Sequence, residues 1–200
     1  MASRLIISAD SYKEKISGYD PAVSDVVHFD SVTLADEAFD AAVSSNKYSC
    51  VTFLCGGAAS GKTEFINTHL ATNEGIIFDS TLSSNNAAGT KLKKAKKYKL
   101  ARTVILILPL NLQQAYLSFL NRDRKFPVDR FIATHLGCRQ VVLHLLSNRK
   151  YDDVSIQLYI SAINDDILTF TSVAVSRENL KSILESEQFV DRQEIEKLII

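Results

Sequence analysis

Residues 56–63 read Gly56-Gly57-Ala58-Ala59-Ser60-Gly61-Lys62-Thr63, and this octapeptide decides the fold of the chain. It fits the pattern Gly-x4-Gly-Lys-[Ser/Thr] of a phosphate-binding P-loop. Glycines let the backbone curl so that successive N–H groups point at one phosphate, beside the positive end of the following helix. Lys62 would reach the β- and γ-phosphates of a nucleotide, and the Thr63 hydroxyl would bind Mg²⁺. We therefore expect all eight residues to bind the nucleotide.

The segments on either side of the octapeptide match what a P-loop requires, a buried strand before it and a helix after it. Residues 49–55 form a nearly continuous apolar run rich in strand formers, which is typical of a central parallel strand. Phe65, Ile66 and Leu70 then recur at helical spacing. This context favours nucleotide binding over a glycine turn followed by a surface lysine.

Composition and charge exclude several classes of protein. The chain has 200 residues, 46% of them hydrophobic, and its formal net charge is zero. No global field attracts nucleic acid or membrane, and no segment approaches the ~20 apolar residues of a membrane span. The three cysteines, Cys50, Cys55 and Cys138, show neither a paired framework nor metal-ligand spacing. These features predict a reduced, soluble, cytoplasmic protein.

Strand-like and helix-like segments alternate along the chain after residue 49. Further strands are predicted at 75–79, 102–108, 154–160 and 167–170, and further helices at 86–100 and after Asn111, Pro127, Ser176 and Asp191. Such alternation predicts an α/β fold of the P-loop kinase type, with a mostly parallel sheet flanked by helices in three layers. Residues 46–175 would form this core, and residues 176–200 would add C-terminal helices.

Residues 1–45 are predicted to be a helical extension that packs on the core. We find no strand-like core segment there, and the clearest helix start is at Thr33, where a hydroxyl is followed by acidic residues.

Asp79 ends the predicted strand 75–79. Ligands of parallel α/β sheets bind beyond the carboxyl ends of the strands, so Asp79 should lie beside the P-loop. It could bind Mg²⁺, or it could accept the proton of an attacking hydroxyl. The structural alternative is an N-cap for residues 80–83.

Arg122, Arg124 and Lys125 form a basic cluster between two predicted helices. A mobile cationic lid can neutralise the charge that develops during phosphoryl transfer, and we favour this role over a solvated turn. Arg130 and Arg139, on the next predicted helix, are weaker candidates for the same role.

Two other patterns are interpreted as structural. Six lysines between residues 91 and 99 would lie on the solvent side of an amphipathic helix; only Tyr98 is interleaved, so nucleic-acid binding is disfavoured. The four histidines, His28, His69, His135 and His144, lack metal-ligand spacing and are assigned to the core or the surface.

Three segments, residues 56–63, 77–84 and 122–127, together resemble the zeta-toxin family of P-loop kinases, as a compact and divergent member. The resemblance covers roughly residues 28–160. It implies ATP- and Mg²⁺-dependent phosphorylation of a sugar hydroxyl, best known on UDP-N-acetylglucosamine, and it suggests an antitoxin protein as a partner.

The family's functional residues carry over to matching positions of this sequence. Lys62 and Thr63 match its phosphate and magnesium residues, and Arg122 and Arg124 resemble its two lid arginines, although they lie closer together here. Asp79 and Thr81 are similar to its Glu-Gly-Thr substrate element, with Asp in place of Glu. Larger zeta toxins carry a strand ending in the general-base Asp between the P-loop helix and this element, and the chain between Lys62 and Asp79 has no room for it. Asp79 itself or another carboxylate such as Glu64 must then supply the base, or the base is missing.

The sequence thus predicts a kinase that uses ATP, or alternatively GTP, with Mg²⁺ on Thr63 and Asp79 and a small-molecule acceptor such as a sugar nucleotide. Two alternatives remain open. One is a nucleotide or polynucleotide 5′-kinase, which shares the P-loop, the strand-end Asp and the arginine lid. The other is a nucleotide-binding toxin–antitoxin or regulatory module without phosphotransfer.

Overall fold

The computed structural model describes residues 4–123, 125–165, 167–186 and 191–199. The described strands form one six-stranded sheet in the order β1-β3-β2-β4-β5-β6. Their bounds are Arg4–Ser8 (β1), Cys50–Cys55 (β2), Gly75–Asp79 (β3), Ala101–Pro109 (β4), Ser155–Asn164 (β5) and Ile167–Val173 (β6). All neighbouring strands are parallel except β5 and β6, which form an antiparallel hairpin. The predicted α/β fold with a mostly parallel sheet is confirmed.

Helices cover both faces of this sheet. Their bounds are Ala9–Lys13 (α1), His28–Ser44 (α2), Lys62–Thr68 (α3), Asn85–Lys97 (α4), Leu112–Leu120 (α5), Val128–Leu146 (α6), Arg177–Ser186 (α7) and Arg192–Ile199 (α8). Phe53 of β2 faces the larger core with α2, α4, α6 and α7, whereas its neighbour Leu54 faces the smaller core with α3. Because successive strand residues point to opposite faces, this split produces the three predicted layers. None of the described helices is long and apolar enough to cross a bilayer.

The N-terminal strand corrects one sequence-based prediction. β1 pairs in parallel with β3 along its whole length, from Arg4 opposite Gly75 to Ser8 opposite Asp79. The expectation that residues 1–45 contain no strand is therefore wrong. The strand has only three apolar residues between Arg4 and Ser8, too few for a clear period, and its partner lies far along the chain. The division into 1–45, 46–175 and 176–200 remains a prediction.

The second helix also begins earlier than predicted. α2 starts at His28, and the Thr33 hydroxyl donates to the carbonyl of Phe29 inside the helix (3.1 Å) instead of capping its start. The helix starts predicted after Asn111 and Asp191 are confirmed, and both residues act as N-caps: Asn111 accepts from the amide of Gln114 (3.0 Å) and Asp191 from that of Glu194 (2.9 Å).

The topology brings the interesting residues to one edge of the sheet. β1, β2 and β3 run in the same direction, so their carboxyl ends lie side by side. The P-loop follows β2, Asp79 ends β3, and Asp10 follows β1 shortly after Ser8. This is the edge where α/β proteins bind ligands.

Candidate phosphate-binding site

The backbone of the P-loop forms an anion-binding concavity. Ala59 and Gly61 adopt left-handed conformations with φ of 61° and 88°, and Gly61 caps the N-terminus of α3. The amides of Lys62, Thr63 and Glu64, in the first turn of α3, have no acceptor among the described residues. Left-handed residues in the loop turn successive backbone N–H groups toward one point, and the unpaired amides at the start of α3 lie beside them. Such an arrangement is suited to binding a phosphate group.

The first two glycines of the motif are fixed by their neighbours. A Cβ atom at Gly56 would lie 2.7 Å from the carbonyl oxygen of Ile107, and one at Gly57 would lie 2.3 Å from the ring of His135. Both distances are shorter than the van der Waals contact of a carbon atom. β4 and α6 therefore pack too closely against the loop for a side chain at either position. These glycines therefore set the loop's position, although neither lines the cavity described below.

Helix α6 holds the loop through two residues that sequence analysis did not single out as site residues. The amide of Ala58 donates to Thr134 Oγ1 (3.1 Å), and His135 Nε2 donates to the carbonyl of Ala58 (2.9 Å). Burial lowers the pKa of His135 to about 4, so the ring is neutral at pH 7. Nothing in the local sequence links these residues to a loop so far away. His135 is buried, in agreement with its assignment to the core or the surface, and it also positions the P-loop.

Lys62 folds back over its own loop. Its Nζ donates to the carbonyls of Gly56 and Gly57, both at 2.9 Å. Burial lowers the pKa of Lys62, the Asp79 carboxylate opposes that shift, and the Arg122 guanidinium adds to it. Asp79 and Arg122 are thus close enough to Lys62 for their charges to act on it, as the sequence-based prediction requires.

Two buried hydroxyls near the loop have no hydrogen-bond partner among the described residues. They are Ser60 Oγ, in a side chain 1% exposed, and Ser80 Oγ, which follows Asp79. Buried polar atoms are normally paired, and an orphaned hydroxyl is explained by a missing ligand or water. Together with the free amides, this makes the loop a good fit for the phosphates of a nucleotide.

A cavity of about 490 Å³ extends from the P-loop, which is within the usual range for small-molecule sites. Of the predicted site residues, those lining it are Ala58, Ala59, Ser60, Gly61, Lys62, Thr63, Asp79, Thr81 and Arg122, together with the weaker lid candidate Arg130. Arg124 lies outside the described residues. Asp10, shortly after β1, and Asp36 of α2 line the same cavity. The structure therefore brings together the P-loop, the strand-end carboxylate of Asp79 and one arginine of the predicted lid.

Thr81 is connected directly to the loop. Its carbonyl accepts from the amide of Gly56 (3.3 Å), and its hydroxyl lies 3.2 Å from Ser83 Oγ. The segment after β3 is also packed tightly against α6, because a Cβ at Gly137 would lie 2.4 Å from the carbonyl of Ser83. Residues 80–84 therefore form a fixed wall of the cavity.

The far end of the cavity is a polar cluster on the N-terminal segment and α6, which sequence analysis did not predict. Lys13 is 1% exposed; its Nζ lies 3.3 Å from Asp10 and 4.5 Å from the centre of the Phe126 ring. Arg130 covers the same ring (4.8 Å) and contacts His28 Nε2. Burial, then Arg130 and Lys13, lower the pKa of His28 to about 4.

Several cations considered above have other roles in the structure. Arg139 is buried and donates twice to the carbonyl of Leu184 (3.0 and 2.7 Å), so it fastens α7 and is not a lid residue. Lys125 donates to the carbonyl of Leu120 (2.9 Å). Lys91 is not on the solvent side of its helix, because it lines the cavity and pairs with Asp36 at 2.8 Å.

Among the residues that the structure describes, no group of three or more His, Cys, Asp or Glu side chains could hold a metal ion. Mg²⁺ in phosphoryl-transfer sites is usually held by one or two protein groups together with phosphates and waters. Thr63 and Asp79 both line the cavity and fit that kind of site, in which the nucleotide supplies the remaining ligands.

Comparison with known proteins identifies the fold and nothing finer. No family model matches the chain, and no curated protein matches it. Among solved structures, the chain is similar to the crystal structure of the native AvrRxo1-ORF1:ORF2 complex, with a TM-score of 0.51. The match has 13% sequence identity and covers 80% of this chain and 72% of that one. The likeness supports the α/β architecture described above.

Proposed function

We propose that the protein is a P-loop phosphotransferase of the zeta-toxin type, which uses ATP and Mg²⁺ to phosphorylate a hydroxyl of a small molecule. GTP is the alternative donor, and a sugar nucleotide such as UDP-N-acetylglucosamine is the acceptor that the resemblance implies. The observation that carries the proposal is the set of free amides and the orphaned Ser60 hydroxyl at the P-loop, opening into one cavity with Asp79 and Arg122.

The loop residues would bind the donor's phosphates. The amides of residues 62–64 would donate to phosphate oxygens, and the Lys62 ammonium would exchange its two carbonyl acceptors for them. Thr63 and Asp79 would hold Mg²⁺, which neutralises charge on the phosphates during transfer.

The acceptor would lie between Asp79 and the polar far end of the cavity. Four carboxylates line the cavity: Asp10, Asp36, Glu64 and Asp79. Asp79 ends β3 and Asp10 follows the neighbouring parallel strand β1, so we propose that one of these two is the general base. β1 lies beside β3, so the N-terminus supplies an edge strand for which the chain between Lys62 and Asp79 has no room. We assign Mg²⁺ to Asp79, whose charge acts on Lys62, and the base to Asp10.

The proposed reaction is phosphoryl transfer from the donor to the acceptor hydroxyl. The acceptor oxygen forms a bond to the γ-phosphorus, its proton passes to the Asp10 carboxylate, and the bond from phosphorus to the bridging oxygen of the donor breaks to release the nucleoside diphosphate. Arg122, at the cavity, would stabilise the charge on the transferring oxygens. Arg124 would join it as the second lid arginine.

A protein partner is part of the proposal. The matched solved structure is a complex of two proteins, AvrRxo1-ORF1 and ORF2. A chain of the same fold with a toxin-like site would likewise bind an antitoxin protein. If no acceptor is phosphorylated, such a partner would favour the second candidate function, a nucleotide-binding module of a toxin–antitoxin pair.

The experiment compares wild type, Asp79→Asn and Asp10→Asn in ATP affinity and acceptor phosphorylation across a magnesium titration. The acceptor panel contains sugar nucleotides, nucleosides and oligonucleotides. Asp79→Asn should weaken Mg²⁺-dependent ATP binding, with partial recovery at high Mg²⁺. Asp10→Asn should bind ATP normally and lose about 10²-fold or more in transfer.

Unfolding midpoints should be measured alongside, because Asp10→Asn removes a partner of the buried Lys13; the exposed carboxylate variant Asp30→Asn is the control. Full activity in Asp10→Asn would move the base to Asp79. A wild type that binds ATP but phosphorylates nothing in the panel would leave the binding module as the function.

A further inference from the structure

A second cleft lies on the other side of α4 from the phosphate-binding site. It has a volume of about 530 Å³ and runs between α4 and the C-terminal end of α6, where residues 149–151 form a 3₁₀ turn. Ala87 and Lys91 of α4 line the first cavity, whereas Asn86 and Lys93 line this one. The two sites therefore share a helix but no lining residue.

The charge of this cleft is one-sided in a chain with zero net charge. Its lining includes Lys93, Lys96, Arg102 and Lys150 but no carboxylate. One acid at its border, Asp153, contacts both Arg102 and Lys96, the latter at 3.0 Å. Lys93 and Lys150 have no acidic partner among the described residues. Concentrated like charge costs stability unless an anion neutralises it.

The floor of the cleft is formed by buried side chains with fixed partners. Arg102 is 6% exposed and is held by Asp153 and the carbonyl of Leu92 (3.4 Å). The Tyr151 hydroxyl packs against Gly89, where an added Cβ would lie 3.0 Å away. Because these partners occupy the buried guanidinium, Arg102 contributes a fixed positive charge at the floor, and the exposed ammonium groups of Lys93 and Lys150 supply the donors for phosphate oxygens.

The shape of the cleft limits the ligand. The cleft has two aromatic rings: Tyr151 is buried and covered by Lys150 at 4.7 Å, and His144 is half-buried, with its ring centre 6.0 Å from that of Tyr151. The lining therefore offers no exposed Phe, Tyr or Trp face for a base to stack on. Single-stranded nucleic acids usually need such stacking platforms. The amides of Asn85 and Asn86, at the start of α4, add neutral donors to the four cations.

We propose that this cleft binds a compact anion carrying two or more phosphate groups, either an inorganic polyphosphate or the phosphate chain of a free nucleotide. The cleft volume suits a ligand of that size, and its excess of positive charge suits several phosphates in a row. The site does not depend on the phosphotransferase activity proposed above.

The experiment is calorimetric titration of the protein with inorganic triphosphate, first in the Lys62→Ala variant, whose P-loop cation is removed. The test variant adds Lys93→Ala and Lys150→Ala, and the matched control adds Lys47→Ala and Lys97→Ala, two exposed lysines outside the cleft. We expect Lys62→Ala to bind triphosphate, the test variant to bind about tenfold more weakly, and the control to be unchanged. In the wild-type background, the test substitutions should reduce the stoichiometry from two triphosphates to one.

Two further ligands identify the source of the phosphates. Equal affinity for ADP and pyrophosphate indicates recognition of the phosphate chain alone, and tighter ADP binding indicates a nucleotide; either agrees with the proposal. Loss of all binding in Lys62→Ala would overturn it, as would equal weakening in the control variant. Tight binding of a single-stranded RNA oligonucleotide without triphosphate binding would also overturn it, in favour of a nucleic-acid groove.

Discussion

Lys62 is held in the structure by two carbonyl groups of its own loop, and this has a consequence for mutation. The ammonium is partly buried and contributes no apolar packing, so removing it should weaken phosphate binding more than it weakens the fold. We predict that Lys62→Ala abolishes nucleotide-dependent activity and weakens ATP binding while the unfolding midpoint changes little. ATP titration and thermal unfolding measure the two effects, with Lys97→Ala as control. Equal ATP affinity in mutant and wild type would refute the P-loop assignment.

His135 makes the stability of the P-loop dependent on pH. Its folded-state pKa is about 4, below the ordinary value of 6.5. Between these values the unfolded chain binds a proton that the folded chain does not, so stability falls as the pH drops from 6.5 to 4, by at most about 3 kcal/mol. His28, with the same direction of shift, contributes less because it is only half-buried.

The test is the urea midpoint at several pH values in wild type, His135→Gln and the control His69→Gln, which removes an exposed imidazole. Gln keeps a donor for the Ala58 carbonyl but does not titrate, so the slope between pH 6.5 and 4 should be shallower in His135→Gln alone. An identical slope in all three proteins would mean that His135 is protonated without cost in the folded chain.

At the scale of single residues, the sequence predicts only those site residues whose role depends on their neighbours along the chain. The octapeptide carries its function in eight consecutive residues, and Asp79 is at a strand end that its own segment predicts. Thr134, His135, Lys13 and His28 gain their positions from packing between distant segments. No spacing rule along the chain could have joined them to the P-loop.

At the scale of elements, the loop between α5 and α6 is the candidate lid of the proposed phosphotransferase. Arg122 lines the cavity, whereas Lys125 in the same loop points to the carbonyl of Leu120. A lid cation acts mainly on charge in the transition state. We predict that Arg122→Ala lowers kcat by about 10²-fold or more with ATP affinity nearly unchanged, and that Arg124→Ala acts in the same direction.

Steady-state kinetics and direct ATP binding separate these two effects. Lys125→Ala is the matched control, because it removes a cation from the same loop but outside the cavity, and its kcat should be close to that of wild type. Unchanged turnover in both arginine variants would make this segment an ordinary surface turn.

The central strands were predictable because each is a buried apolar run with clear flanks, and β3 was placed at its observed bounds. β1 was not predictable, because five residues with polar ends show no clear hydrophobic period. Its stability as a strand depends on pairing with β3. The start of α2 is not predictable from a capping signal either, because its N-cap residue, Val27, makes no side-chain cap hydrogen bond.

At the scale of the whole molecule, the N-terminal segment is an integral part of the sheet. Ile7 is 1% exposed in the larger core, and Phe39 of α2 packs on Phe53 (5.7 Å) and Phe78 (5.2 Å) of the central strands. A fragment of residues 46–175 would expose these rings and the edge of β3. Such a fragment should therefore fail to fold as a stable unit, contrary to an independent core that begins at residue 46.

The last prediction tests this integration with two neighbouring residues of one strand. Ile7 faces the core, whereas Ile6 is 42% exposed on the opposite face. Ile7→Ala should lower the free energy of unfolding by about 2–4 kcal/mol, because it removes buried methyl groups and leaves a cavity. Ile6→Ala keeps the same backbone and should cost less than about 1 kcal/mol. Urea unfolding of the two variants measures the difference. Equal, small effects would mean that β1 is only loosely attached, and a 46–175 fragment as stable as the full chain would support the division at residue 45.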